Sequence, residues 1–257
     1  MLIFGPLLDL LLPEHPSIVM SVSVAILTGM GLLLLDYLSE VKRLITPPEI
    51  HFHHDQQEAD KHLRTFIESA RPSKADLLEC ASATVHDNVI KPLVTGGCNI
   101  RLLILNPKVD DKVFKPCGDE KQRICGQIRR LNMEEEVAQY DNIRIRFYNE
   151  PPSLRGRKFG NRLVNVGWFT YELQQKEDLS ADCLRIWGHN NPLVSIASSE
   201  KDFDVVEGMF SKVFKNLWGR ADLPRKICNA CPEKQNQRCP VSDAWLDRVS
   251  RDNEEKL

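Results

Sequence analysis

Three groups of residues in this 257-residue chain have the types and spacing to do chemistry. Arg155, Arg157, Lys158 and Arg162 gather four cations in eight residues. Guanidinium forks suit phosphate oxygens bidentately, so the run reads as an anion site or as a solvated, mobile basic loop. Cys228-x2-Cys231-x7-Cys239 offers three thiolates for zinc or an iron–sulfur cluster. A fourth ligand is missing locally: no histidine lies beyond His189, so Asp243 or a distant cysteine would complete the site. The same thiols read equally as a redox-sensitive pair at 228/231, or as a tail packed by Trp245.

Isolated histidines form the third group. His86-Asp87 follows a predicted strand, at the edge where open α/β sheets bind ligands, and His189-Asn190-Asn191 opens another. If both point into one crevice they form a polar pocket with the arginines, and His86 or His189 could serve acid–base or nucleophilic chemistry. As single residues at strand ends they equally cap turns. His51, His53, His54, Asp55, Glu58 and His62 invite a metal, since 54, 58 and 62 share a helical face. The simpler reading is a solvated helix start with Asp55 as N-cap.

Composition bounds what such residues can serve. Charged residues are 27% and hydrophobic ones 42%, which excludes wholesale disorder. With a net charge of −2, the electrostatic signature of a nucleic-acid binder is absent, so nucleic acid is not an expected partner. The first five of the eight cysteines are scattered through core-like segments, which points to a reducing compartment rather than a disulfide framework.

The N-terminus stands apart. Pro16 to Leu35 carries no charge over 20 residues, which at about 1.5 Å per residue matches a bilayer core of roughly 30 Å. No Lys or Arg precedes it, as a signal peptide would require, whereas Lys42 and Arg43 follow it. These flanks predict a single-pass transmembrane helix over about 16–36, with the C-terminal part in the cytoplasm. A buried helix of a soluble protein is the alternative. Residues 1–12 are too short to cross and suit an interfacial or re-entrant segment.

The elements that must position the chemistry follow from periodicity. Ala59, Leu63, Phe66, Ile67 and Ala70 predict an amphipathic helix over 56–70, stopped by Arg71-Pro72-Ser73. A strand at 75–80, a helix at 85–94 bent by Pro92, and a strand at 99–105 form a β–α–β unit, hence parallel strands. A charged helix spans 118–140, with Ile124, Ile128, Leu131 and Val137 facing inward. Strands follow at 142–148, 163–171, 183–187 and 193–197, and a helix at 203–218 closes the domain.

This order, with the SATVHDN loop, the NIRLLILNP strand after Gly96-Gly97, and the DVVEGMFSKVFKNLW helix after HNNPLV, resembles one half of the phospholipase D superfamily. The resemblance implies an α/β fold: a phospholipase D-like mixed sheet flanked by helices, here preceded by the transmembrane helix. Active members carry His-x-Lys-x4-Asp between two strands, then a Gly-Ser-x-Asn-like turn; the His forms a phosphohistidine and the Lys holds the phosphate. With Gly167 at the glycine of the turn, Ser153 falls at the His, Arg155 at the Lys and Gly160 at the Asp. His-x-Lys occurs nowhere in the chain, and a serine without a neighbouring base is no substitute nucleophile.

The expected organisation is therefore an anchor over 1–47, a juxtamembrane linker helix over 48–72, a phospholipase D-like domain over 73–222 and a cysteine-containing tail over 223–257. The expected function is non-catalytic: sensing or binding a phosphorylated ligand, a nucleotide or a partner protein near the membrane through Arg155, Arg157, Lys158, Arg162, His86 and Asn190. A hydrolase using His86 or His189 is the alternative. A scaffold that forms a homodimer through its sheet, as the family's paired halves do, is the third.

Overall fold

The chain divides into two units, residues 1–48 and 49–257. The computed structural model describes residues 28–37 of the first and residues 50–80, 85–108, 118–133, 140–174, 183–188, 190–229 and 241–250 of the second. Residues 28–37 are helical, with Leu32, Leu33, Leu34 and Leu35 exposed. Among the described residues no helix is long and apolar enough to cross a membrane, and residues 16–27 of the expected span lie outside them.

The second unit is mixed α/β, a large mixed sheet flanked by helices. In chain order it runs β1 (Ile50–His53), α1 (Gln56–Ala70), β2 (Lys74–Glu79), a π-helical turn (His86–Ile90) leading into α2 (Lys91–Thr95), β3 (Asn99–Leu105), α3 (Gly118–Met133) and β4 (Ile143–Tyr148). It continues with β5 (Leu154–Phe159), β6 (Leu163–Trp168), β7 (Thr170–Gln174), β8 (Cys183–Trp187), β9 (Leu193–Ala197), α4 (Phe203–Arg220), α5 (Pro224–Asn229) and α6 (Asp243–Val249).

The seven-stranded sheet has the order β1-β9-β6-β5-β2-β3-β4. β2, β3 and β4 are parallel, as the β–α–β pattern requires, and β2-β5, β5-β6, β6-β9 and β9-β1 are antiparallel. Strand β3, between β2 and β4, is a run of Ile100, Leu102, Leu103, Ile104 and Leu105, all buried, because helices cover both faces. Each such side chain contributes about 1.5–3 kcal/mol on burial. α1 lies on one face. α4 covers the other, its Phe210 ring so close over Gly156 that a Cβ there would stand 2.8 Å from it.

Several segments depart from or refine the pattern-based expectation. Residues 48–72 are not a linker: Ile50 to His53 pairs with β9 as an edge strand, and Ala59, Leu63 and Ile67 of α1 are buried. The basic segment is not a loop but strand β5, joined to β6 by a three-residue turn in which Gly160 takes the left-handed φ of 57°. The strand expected over 163–171 splits at Phe169, with β7 leaving to form a separate ribbon with β8. Pro92 sits in the first turn of α2, where its missing N–H costs nothing, and the chain before it widens into the π turn. The tail is partly internal, since Ile227, Trp245, Leu246 and Val249 join the core.

Candidate functional site

Alternation along β5 sorts the basic run onto opposite faces of the sheet. Arg155, Arg157 and Phe159 point toward α1, whereas Lys158 points toward α4 and Arg162 lies in the turn. The four cations therefore do not form one cradle.

Arg155 and Arg157 are each only 1% exposed. Arg157 donates through Nε to Glu79 Oε1 at 2.6 Å and through Nη1 to Asp60 Oδ1 of α1. Burial opposes its charge, but the two carboxylates more than offset that and hold the guanidinium protonated. Arg155 donates through Nη1 to Gln56 Oε1 at 2.8 Å and through Nη2 to the carbonyl of Asn191 at 2.9 Å. Burial pulls its pKa down to about 10, with Glu79 pulling the other way. Its guanidinium occupies room left by glycine: a Cβ on Gly167, its cross-strand partner, would stand 3.0 Å from Arg155 Nε.

Gln56 and Asp60 are four residues apart, one turn along the buried face of α1, and Glu79 closes β2. Sequence reading passed over all three. The available signal was the polar Gln56–Asp60 pair on a helical stripe otherwise formed by Ala59, Leu63 and Ile67, matched by Arg155 and Arg157 at the strand period of two. Buried charges persist only when paired, so either set should have called for the other.

The remaining cations are held elsewhere. Lys158 Nζ donates to Glu207 of α4 and to Ser211 Oγ at 2.9 Å. These contacts with Lys158 and Ser211 hold the Glu207 carboxyl below its ordinary range. Arg162 Nη1 donates to the carbonyl of Ala70 at 2.9 Å, capping the C-terminal end of α1.

His86 is 0% exposed, its Nδ1 3.4 Å from Asp87 Oδ1, and Arg130 donates to the same oxygen at 2.7 Å. Asn190 is exposed in the turn before β9, and it is Asn191 whose side-chain amide ties that turn to Trp168 and Trp187 carbonyls. His189 lies outside the described residues. The crevice expected from His86, Arg155 and His189 is thus not assembled from the two that are described: Arg155 is spent on α1 and on Asn191, and His86 is sealed beside Asp87.

His51, His53 and His62 do come together, with ring centroids 4.5 to 6.4 Å apart. His51 and His53 of β1 stack, His62 of α1 lies tilted against both, and His53 Nε2 lies 2.9 Å from Ser195 Oγ. Burial pushes the His62 pKa down to about 4, with neighbouring His51 and His53 acting the same way. Among the described residues no group of three or more His, Cys, Asp and Glu is arranged to hold a metal ion. Asp55 caps α1, accepting from the Glu58 amide at 2.9 Å. Cys228 lines an apolar cavity of about 150 Å³ together with Cys125, Ile128, Ile227 and Val241. Cys231 and Cys239 lie outside the described residues.

No protein-family model matches the chain, and no curated protein matches it. Several solved structures are similar to it, two of them as follows. One is a phospholipase D family member, Nuc, from Salmonella typhimurium, at 13% identity and a TM-score of 0.42, covering 68% of this chain and 97% of that one. The other is phosphatidylserine synthase from Haemophilus influenzae Rd KW20, at 14% identity and a TM-score of 0.40, covering 79% of this chain. The match spans 47% of the synthase, about half its length.

Proposed function

We propose that this chain is a non-catalytic phospholipase D-like domain, anchored to a membrane by its N-terminal apolar segment with the domain on the cytoplasmic side, where it binds a phosphorylated ligand, a nucleotide or a partner protein. The observation that carries the reading is the fate of Arg155. In the motif of active members this position is a lysine that meets substrate phosphate; here the guanidinium is buried against Gln56 and the Asn191 carbonyl. The nucleophile's position is Ser153, two residues earlier, with no imidazole in its stretch of sequence. A positively charged group sealed by neutral acceptors and backed by Asp60 and Glu79 is a structural core, not a cradle awaiting an anion.

The test is turnover of bis(4-nitrophenyl) phosphate by the full chain in detergent. No hydrolysis above the buffer rate is expected, with or without Arg155→Lys. Turnover that disappears in His86→Ala or His189→Ala would establish the hydrolase reading instead. The anchor is checked separately by alkaline extraction of membranes: the full chain stays in the pellet, and a chain starting at residue 49 does not.

A further inference from the structure

The face of the sheet that carries Lys158 has an opening that the buried arginines do not use. A cavity of about 400 Å³ lies where β2 and β3 begin and the β5–β6 hairpin turns. Two cross-strand rows form its floor. In the first, Asp76 pairs with Lys158 on one side and Arg101 on the other. In the second, Lys74 pairs with Asn99 and accepts the Gly160 N–H at its carbonyl, 2.9 Å away.

The rows differ in chemistry. The first is internally balanced: Arg101 grips Asp76 with both arms of its fork at 2.6 and 2.7 Å, and Lys158 is held by Glu207 and Ser211. Arg101 also lies over the Phe214 and Trp218 rings of α4, so it is fixed in place. The second row holds no carboxylate. Lys74, Asn99 and Asn161 present an ammonium and two amides to the same space, with Ser73 beside them. Beyond Arg101 the same face continues in register to Arg144 on β4. With Arg101 and Lys158 each paired to a carboxylate, Lys74 is the lining cation left to meet an anion.

We infer that this cavity takes a phosphorylated small molecule, the phosphate lying on Lys74, Asn99 and Asn161 and a hydroxyl-bearing body lying toward Asp76 and Lys158. Donors alone suit the phosphate end, and a carboxylate acceptor suits the hydroxyl end. The cavity lies at the starts of the parallel strands, away from Glu79 at the end of β2. The inference rests on the non-catalytic binding reading above and gives it a location. The same phosphate ester can belong to a soluble molecule or to a lipid headgroup.

Isothermal titration of the full chain in detergent with sn-glycerol 3-phosphate, and with glycerol as control, tests it. Saturable binding of about 1 mM or tighter is expected for the phosphate ester and none for glycerol. Lys74→Ala and Asn161→Ala, both exposed and away from the core, each weaken it, the lysine change at least about tenfold. Arg64→Ala, outside the cavity, leaves it unchanged. Displacement by phosphatidic acid vesicles, but not by phosphatidylcholine vesicles, assigns the phosphate to a lipid; no displacement assigns it to a soluble ester. Binding that is absent, equal for glycerol, or undiminished in Lys74→Ala overturns the inference. Hydrolysis of bis(4-nitrophenyl) phosphate with this binding intact would overturn the non-catalytic reading alone.

Discussion

Arg157 is clamped between Asp60 of α1 and Glu79 at the end of β2, with all three side chains at most 2% exposed. One cation with two carboxylates, away from water, locks the helix to the sheet. Asp60→Ala leaves Arg157 short of one partner, and Arg157→Met leaves two carboxylates facing each other. Removing one member of a buried pair costs about 3–5 kcal/mol. Urea unfolding should show a loss of that order for Arg157→Met, largely recovered in Asp60→Leu/Arg157→Met/Glu79→Leu. A loss below about 1 kcal/mol for the single change would mean that the clamp is not structural.

Close approach of α4 to β5 gives a second prediction. A methyl group on Gly156 would meet the Phe210 ring at 2.8 Å and the Asn165 carbonyl at 2.9 Å, and the backbone oxygen has little room to yield. Gly156→Ala should therefore cost about 1–3 kcal/mol. A melting temperature equal to that of the unchanged protein would show that the helix sits further from the strand.

The clustered imidazoles make stability depend on pH. The His62 pKa is depressed to about 4 against 6.5 in the unfolded chain, and burial lowers His53 as well. Between these values the unfolded state binds more protons. Stability is thus fully present above about pH 6.5 and declines as the pH falls toward 4. Denaturation midpoints at pH 7.5 and 5.5 should differ, and His62→Leu should flatten the difference. An equal slope in that variant would place the titration elsewhere.

Cys98 is buried, and burial pushes its thiol pKa up to about 12, with Asp76 adding to the effect. It should resist iodoacetamide in the folded protein at pH 8 and react after urea unfolding. Mass spectrometry of the tryptic peptides distinguishes the two, and native-state labelling at Cys98 would contradict the placement.

The sequence determined the elements whose signal is local. Alternation in Ile143, Ile145 and Phe147 marks β4, the stripe of Ala59, Leu63 and Ile67 marks α1, and the Gly96-Gly97 break between apolar runs marks the β–α–β unit. It also exposed the missing His-x-Lys. What the charges of the basic run do was decided only by tertiary structure. Arg157 meets Glu79 and Asp60 across 78 and 97 residues of chain, and no short-range periodicity reports such a partner. Whether an arginine waits for a phosphate or closes a core depends on what folds over it, and here α1 lays Gln56 and Asp60 on that face. Ile50 to His53 shows the same limit, since four residues become an edge strand only because β9 offers free hydrogen-bonding groups beside them.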